Sequence, residues 1–208
     1  MSRKKSSPKH ASRPPGAVDK PLRIIGGWLR NRPIRYAGDP RTRPMKERVR
    51  EAVFNLVGPA VQGMLAIDLF AGTGALGLEA ISRGAARAIF IERHFPTARL
   101  VRENIAALGV EDRCEVVAGD AFLWPRTGPL PPDDSPWLVL CSPPFDLYLQ
   151  RRQQMHALLM ELRQRCPADS LIVVEADQRF DFQTLADLGT WDARAYPPAV
   201  VGILQIGS

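Results

Sequence analysis

The sequence of 208 residues is poor in the residue types that build metal centres and disulfide frameworks. It has three histidines, which lie in unrelated contexts, and its cysteines are Cys114, Cys141 and Cys166. An odd number of widely spaced cysteines without a Cys-x-x-Cys pair argues against a disulfide framework and a structural zinc site. We therefore expect the cysteines to pack in the core and the protein to bind no metal.

Long hydrophobic runs are also missing. No stretch approaches the roughly 18 to 20 apolar residues that cross a bilayer, and residues 1–20 are basic and lack the apolar centre of a secretion signal. These absences predict a cytoplasmic protein without a membrane partner. The 45% of hydrophobic residues that are present suffice for one buried core with a small accessory element.

Positive charge is concentrated at one end of the chain. Residues 1–50 carry 15 Lys or Arg against 3 Asp or Glu, whereas residues 51–208 carry 13 against 19. Such asymmetry indicates a polyanion-binding face, because cationic side chains that neutralise phosphates release condensed counterions. The alternative is a solubilising tail. It suits residues 1–20, which have almost no large apolar side chain and are predicted to be disordered.

The next segment, residues 21–58, is predicted to form an RNA-binding hairpin and helix. Gly26-Gly27 lies between two runs that contain apolar residues, which predicts a hairpin or a bulged pair of strands. The spacing of apolar residues from Met45 to Val57 is helical, and Pro44 suits a first turn.

Seven arginines of this segment are candidates for RNA contact. For Arg48 and Arg50, a solvated helix face or a structural ion pair is the alternative. The candidates are Arg23, Arg30, Arg32, Arg35, Arg43, Arg48 and Arg50.

Residues 59–208 alternate strand and helix patterns, which predicts an α/β domain with a doubly wound, mostly parallel sheet. Two further strands, joined by Pro197-Pro198, close a seven-stranded sheet. The predicted strands lie near 64–70, 87–92, 113–117, 136–141, 170–176, 190–196 and 199–206, and the predicted helices near 74–83, 95–108 and 148–165.

A glycine-rich segment from Asp68 to Gly77 follows the first of these strands. Gly72 and Gly74 let a ligand approach the main chain, and the free N–H groups of the following helix attract negative groups. The spacing formally matches the dinucleotide fingerprint, with Glu92 near the position of a ribose-binding acid. By itself it leaves NAD and S-adenosylmethionine open.

Three features favour S-adenosylmethionine over NAD. Asp68 would repel a pyrophosphate but suits the ammonium and sulfonium of the methionine part. Asp120, directly after a strand, is placed to accept from an adenine amino group. The turn Ser142-Pro143-Pro144-Phe145 has no use in a nicotinamide enzyme.

That turn suits methyl transfer to an exocyclic amino group, whose lone pair is delocalised into the base. The oxygens of Ser142 and Pro143 can accept both amino hydrogens and so localise the lone pair, while the prolines fix the turn and add no N–H donor. Phe145 can stack on the base, which a folded nucleic acid must first turn out of its own stack. No strong general base is required.

Residues 22–206 resemble the bacterial 16S rRNA guanine-N2 methyltransferases. The most specific parts are Arg23-Ile24-Ile25-Gly26-Gly27, then Arg43-Pro44 with Arg48-Val49-Arg50-Glu51 and Phe54-Asn55, and then Asp68 to Ala80. The last of these motifs is common to several methyltransferase groups, and the first two are much more discriminating. The resemblance implies a class I, Rossmann-like methyltransferase fold, S-adenosylmethionine as donor and an N-terminal RNA-binding element. The expected partner is 16S rRNA, in the small ribosomal subunit or its assembly intermediate, and the protein is expected to be a monomer.

The resemblance also assigns roles within the site. It implies that Glu92 holds the cofactor ribose and Asp120 the adenine, whereas Ser142 departs from the Asp that usually begins the family's catalytic turn. The predicted catalytic residues are Ser142, Pro143, Pro144 and Phe145, and the predicted cofactor-binding residues are Asp68, Phe70, Ala71, Gly72, Thr73, Gly74, Glu92, Arg93, Asp120 and Ala121.

Other functions stay open at this point. The Ser-Pro-Pro-Phe form also permits DNA amino methylation, although no domain for reading DNA sequence is evident. The serine at position 142 is compatible with a noncatalytic RNA-binding assembly factor. Each polar site residue could also be structural, with Glu92 pairing with a neighbour or Asp120 capping a turn.

Overall fold

The computed structural model describes residues 22–36, 45–128 and 134–207. The predicted tail, residues 1–20, lies outside the described residues, as do Arg43 and Pro44. In the described part of the chain, no helix is both long and apolar enough to span a membrane.

The centre of the molecule is a seven-stranded sheet in the order β3-β2-β1-β4-β5-β7-β6. The first five strands are parallel, β7 is antiparallel to β5, and β6 is antiparallel to β7. The predicted α/β fold with a mostly parallel seven-stranded sheet is thus confirmed. The strands are β1 (Leu65–Asp68), β2 (Arg87–Glu92), β3 (Cys114–Ala118), β4 (Trp137–Cys141), β5 (Leu171–Asp177), β6 (Trp191–Tyr196) and β7 (Ala199–Gln205).

Helices cover both faces of this sheet. The predicted helix over residues 148–165 is two helices, because Arg151 leaves the helical region at φ −129° and ψ 36°. The helices are α1 (Glu47–Val57), α2 (Ala75–Ser82), α3 (Phe95–Leu108), α4 (Trp124–Thr127), α5 (Leu147–Gln150) and α6 (Arg152–Arg165), and 3-10 turns span Gly58–Val61, Glu111–Arg113 and Phe182–Leu188.

The central strands are buried on both faces, which explains why they read as continuous apolar runs. In β1, Ala66 packs into one hydrophobic cluster, whereas Leu65 and Ile67 pack into the cluster on the opposite face. Successive residues of a strand point to opposite faces, so a four-residue strand contributes to both layers of the core.

The predicted hairpin at Gly26-Gly27 is a single antiparallel bridge between Arg23 and Pro33 rather than a pair of strands. The backbone there bonds to the end of α2, where Trp28 N donates to Ser82 O over 2.9 Å. Gly27 has φ 74°, and a Cβ at this position would lie 1.8 Å from Ser82 O. The glycines therefore permit close packing against a helix, and a second strand is not formed.

The N-terminal segment shares its core with the sheet. Ile24, Leu29 and Ile34 belong to the same hydrophobic cluster as Phe54 of α1 and Phe90 of β2. Residues 22–36 and 45–57 are thus joined to the α/β domain by continuous apolar packing, which fixes their position relative to the strand ends.

Candidate cofactor and catalytic site

Five adjacent parallel strands present polar side chains at one edge of the sheet. Asp120 lies just beyond β3, Glu92 ends β2, Asp68 ends β1, Ser142 follows β4 and Glu175 lies near the end of β5. Ligands of doubly wound folds bind beyond the carboxyl ends of the strands, near the point where the strand order reverses. In this sheet that point lies between β1 and β4.

The loop between β1 and α2 is held in shape by glycines and by Asp68. Gly72 and Gly74 have φ angles of 53° and 79°, which side chains disfavour. Gly77 N, in the first turn of α2, donates to Asp68 Oδ2 over 3.0 Å. A Cβ on Gly77 would lie 2.4 Å from the Phe90 ring, so the helix packs directly on β2.

Asp68 is almost completely buried, with 1% of its surface exposed. Its Oδ1 has no hydrogen-bond partner among the described residues. Burial raises the pKa of this carboxyl to about 7, an effect that the hydrogen bond from Gly77 partly opposes. A buried acceptor that lacks a partner is suited to a cationic ligand group such as an ammonium.

Glu92 connects the glycine loop to the end of β2. Its Oε2 accepts from Gly72 N over 3.0 Å, and its Oε1 accepts from His94 N over 2.8 Å. Each carboxylate oxygen has a second lone pair, so both oxygens can still accept from the hydroxyls of a ribose. The adjacent Arg93 is exposed.

Asp120 caps a turn, as the structural alternative proposed. Its Oδ1 accepts from Phe122 N over 3.0 Å. The cap positions the Phe122 ring edge-on to Phe70 of the glycine loop, with 6.0 Å between ring centroids. The cap uses one carboxylate oxygen, which leaves Asp120 with acceptor capacity beside an apolar wall that includes the buried Ala121.

The turn after β4 has a serine that is already engaged. Ser142 Oγ donates a hydrogen bond to Glu175 Oε2. The carbonyl of Pro143 accepts no hydrogen bond from any residue that the structure describes. The turn continues into α5, where Leu147 N donates to Pro144 O over 2.9 Å, and the half-buried Phe145 packs against the core.

Glu175 is the polar site residue that sequence reasoning missed. Only 7% of its surface is exposed, and it lies within the apolar run of β5. Cys141 and Val174 are register partners, so the next residues along these parallel strands, Ser142 and Glu175, are neighbours. The one signal in the sequence was a charged residue directly after four apolar residues of the strand, and such a residue is rarely buried without a partner.

One predicted RNA-binding residue was wrong. Arg50 is fully buried, its Nε lies 3.6 Å from Glu79 Oε2, and its Nη2 donates to Arg23 O. The ion-pair alternative is what the structure contains, because α1 turns this side chain towards the buried Glu79 of α2. An arginine without exposed surface does not reach a phosphate.

The other described arginines of the segment remain predictions. Arg30 and Arg48 are exposed, and Arg23 pairs with Glu47 over 3.2 Å. Arg32 donates to the carbonyl of Ala107 over 3.0 Å, and Arg35 pairs with Glu103 over 3.3 Å, at the surface of α3. Exposed pairs of this kind are weak, so they do not prevent a competing contact with phosphate.

Buried Asn104 of α3 joins this segment to the cofactor loop. Its side chain accepts from Arg35 N over 2.8 Å, and its Nδ2 donates to the carbonyls of Arg35 and Thr73, each over 3.1 Å. Arg35 of the N-terminal segment is therefore held beside the glycine loop. Over the described ranges, no group of three or more His, Cys, Asp or Glu residues is arranged to hold a metal ion.

Comparison with known proteins agrees with this architecture. The protein YlbH of Bacillus subtilis, provisionally named an rRNA methyltransferase, is 31% identical over 170 residues, which are 80% of this chain and 89% of YlbH. Ribosomal RNA small subunit methyltransferase D of Escherichia coli K12 is 44% identical over 87 residues, 42% of this chain and 44% of that protein. The solved structure of Escherichia coli yhhF, provisionally described as a methyltransferase, superposes with a TM-score of 0.71 at 29% identity and covers 91% of this chain and 99% of yhhF.

The family described as conserved hypothetical protein 95 matches residues 22–204, almost the whole of the described chain. The sheet order and the solved neighbour identify a class I methyltransferase fold. The chain belongs to this family and is a homologue of ribosomal RNA small subunit methyltransferase D, as the resemblance of its motifs predicted.

Proposed function

We propose that the chain transfers a methyl group from S-adenosylmethionine to the exocyclic N2 amino group of a guanine in 16S rRNA. The observation that carries the proposal is the shared edge at which Asp120, Glu92, Asp68 and Ser142 end four neighbouring strands. A cofactor cradle and an amino-acceptor turn then border one another at the reversal of strand order. The names of the relatives support rRNA as the substrate class.

The first three of these residues suit the parts of the cofactor. The unpartnered Oδ1 of Asp68 suits the ammonium, Glu92 the ribose hydroxyls and Asp120 the adenine amino group. Phe70, Ala71, Gly72, Thr73, Gly74, Arg93 and Ala121 complete the proposed cofactor surface. When bound, S-adenosylmethionine supplies an electrophilic methyl group on a sulfonium.

The turn after β4 would orient the target base. Ser142 Oγ and the carbonyl of Pro143 accept the two amino hydrogens, and Phe145 stacks on the ring. Catalysis in this arrangement is mainly orientation and hydrogen bonding, since the nitrogen proton becomes acidic once the methyl group is attached. The reaction needs hydrogen-bond acceptors for the amino group, and Ser142 and Pro143 provide them.

Arg30, Arg32, Arg35 and Arg48 would hold the RNA. They are exposed on a segment in which the backbone of Arg35 is bonded to Asn104, and Asn104 in turn donates to the carbonyl of Thr73 in the cofactor loop. Phosphate contacts fix the position of a nucleic acid, whereas the pocket selects the base. We propose the small ribosomal subunit or its assembly intermediate as the form in which 16S rRNA is bound.

The test is methyl transfer to ribosomal subunits. Small subunits from a strain that lacks the corresponding gene are incubated with the protein and radiolabelled S-adenosylmethionine, and the label is mapped by nuclease digestion and mass spectrometry. One N2-methylguanine in 16S rRNA is expected, and subunits from the parent strain should accept no label. Label on large-subunit rRNA or on DNA would contradict the proposal, and so would the absence of any labelled product.

A noncatalytic assembly factor is the second candidate, because Ser142 stands where the family usually has Asp. The double variant Ser142→Ala with Phe145→Ala separates the two functions. A catalyst loses methyl transfer while it keeps its affinity for S-adenosylhomocysteine. An assembly factor shows no transfer with either protein but retains binding to the subunit.

A further inference from the structure

Glu175 is a buried carboxylate, and its position in the core needs a physical explanation. It lies near the carboxyl end of β5, directly beside Ser142, and is 7% exposed. Burial of a carboxylate costs free energy unless it is hydrogen-bonded, and core strands rarely contain one without a reason. One partner here is the hydroxyl of the residue that begins the amino-acceptor turn.

The direction of this hydrogen bond matters more than its presence. A free serine hydroxyl can donate or accept, but an ionised carboxylate only accepts. Ser142 Oγ therefore gives its single hydrogen to Glu175 Oε2, and only its lone pairs face other partners. A hydroxyl that donates to a charged acceptor also becomes a stronger acceptor itself, because linked hydrogen bonds polarise one another.

We propose that Glu175 is a positioning residue that makes Ser142 an obligatory hydrogen-bond acceptor for the amino group of the target base. This inference rests on the proposed function. The pair places a carboxylate one hydrogen bond away from the residue that begins the amino-acceptor turn. It therefore accounts for how a turn that begins with serine serves as an acceptor.

The pair also provides a route for the proton. After the amino nitrogen has gained its methyl group, one N–H bond breaks and its electron pair stays on nitrogen. That proton goes to Ser142 Oγ while the original hydroxyl proton of Ser142 goes to Glu175 Oε2. Glu175 then carries one added proton, which solvent removes before the next turnover.

The test compares variants of the full-length protein under the conditions of the methyl-transfer assay. Glu175→Gln keeps the size of the side chain but removes its charge, and we expect kcat to fall on the order of 10- to 100-fold. The KM for S-adenosylmethionine, the affinity for S-adenosylhomocysteine and the melting temperature should stay close to wild type. Glu175→Asp keeps the charge but withdraws it from Ser142, and it should lower kcat similarly.

Two further arms separate positioning from support of the fold. Ser142→Asp combined with Glu175→Gln restores a carboxylate at the turn and should recover most of the lost kcat. Adding Glu175→Gln to Ser142→Ala should cost little more, since both changes remove the same acceptor. The matched control is Glu161→Gln on α6, whose carboxylate pairs with Arg126 and should leave kcat unchanged.

A binding measurement tests the same point without turnover. RNA with inosine at the mapped position lacks the amino group. In the presence of S-adenosylhomocysteine, the wild type should bind guanosine RNA more tightly than inosine RNA, because the amino group donates to both Ser142 and Pro143. Glu175→Gln should weaken this preference roughly tenfold, the value of about one hydrogen bond, and keep the part that the carbonyl of Pro143 provides.

The two proposals fail in different ways. A wild-type protein that transfers no methyl group to the subunit ends both of them. The role of Glu175 alone is contradicted if Glu175→Gln turns over like the wild type. It is also contradicted if that variant keeps an unchanged preference for guanosine over inosine. Failure of Ser142→Asp with Glu175→Gln to regain activity also overturns it.

Discussion

Asp68 differs from Glu92 and Asp120 at the neighbouring strand ends because only 1% of its surface is exposed. Burial raises its pKa to about 7, whereas an unfolded chain would have a value near 3.8. The native state therefore binds the proton more tightly than the unfolded state. Stability from this group is fully present below pH 3.8 and is lost as the pH rises through 7.

Asp68→Asn should remove this pH dependence. We expect the free energy of unfolding of the wild type to decrease between about pH 4 and pH 7 relative to that of the variant, and the difference to level off above pH 7. Denaturant unfolding at several pH values measures it. Asp192→Asn, an exposed control beside Arg194, should leave the slope unchanged over this interval. Parallel curves for wild type and Asp68→Asn would show that the buried carboxyl does not titrate there.

Replacing Phe145 tests the amino-acceptor turn, the part of the site that is proposed to hold the target base. If it stacks on the target base, Phe145→Ala should weaken productive base binding by about 1–3 kcal/mol while S-adenosylhomocysteine still binds. Steady-state methyl transfer and calorimetric binding give the two quantities. Phe95→Ala is the control, because Phe95 is a phenylalanine with 72% of its surface exposed at the start of α3. Equal activity losses in the two variants would count against a stacking role for Phe145.

The sequence specified most of this site because the residues follow their strands directly. Asp68, Glu92, Asp120 and Ser142 each occur where an apolar run stops, and parallel topology then brings the strand ends together. Glu175 gave no such signal. Its neighbour is set by the pairing of β4 with β5, and the register between two strands is a property of the sheet that neither strand encodes alone.

At the scale of elements, α2 receives contacts from both functional parts of the molecule. Its first turn holds Asp68 through Gly77 N, and its buried Glu79 accepts from the amides of Ile25 and Gly26. Glu79 also pairs with Arg83 over 2.8 Å. One helix thus carries the cofactor loop at its beginning and anchors the N-terminal segment along its length.

Arg50 and Arg48 provide a matched pair for this arrangement. Arg50→Ala leaves the charge of Glu79 less compensated in the core, so we expect it to lower the free energy of unfolding by about 3–5 kcal/mol. Arg48→Ala, on the exposed side of the same helix, should change it by less than about 0.5 kcal/mol. Urea unfolding monitored by circular dichroism measures both. Similar stability of the two variants would refute the structural role of the buried pair.

The elements also show where sequence patterns are ambiguous. Buried parallel strands give short apolar runs that turn residues bound, so the patterns locate β1, β2, β4 and β5 closely. Gly26-Gly27 fits a hairpin equally well as a close approach to a helix, and only the position of Ser82 decides between them. The burial of Arg50 likewise depends on Glu79, which belongs to α2, and the helical periodicity of α1 gives no information about it.

At the scale of the whole molecule, the described residues of the basic N-terminal segment lie beside a site that later residues of the sequence form. The first 50 residues carry the excess of Lys and Arg, whereas the acidic site residues all come later. Asn104 joins the two by bonding Arg35 on one side and Thr73 on the other. Cations are therefore held beside a site whose own carboxylates would repel RNA.

Salt dependence should reveal this division of charge. If Arg30 and Arg48 each neutralise a phosphate, Arg30→Gln with Arg48→Gln should lower the slope of log affinity against log salt by about 1.4, at about 0.7 per contact on single-stranded RNA. Fluorescence anisotropy with a 16S rRNA fragment at several salt concentrations measures the slope.

Arg126→Gln with Arg165→Gln, which removes two cations paired with Glu161, is the control and should leave the slope unchanged. Because neither pair touches Asp68 or Glu92, affinity for S-adenosylhomocysteine should be the same in all proteins. Equal slopes for the two double variants would mean that the N-terminal arginines do not bind the phosphates, and that the basic charge of this segment serves another purpose.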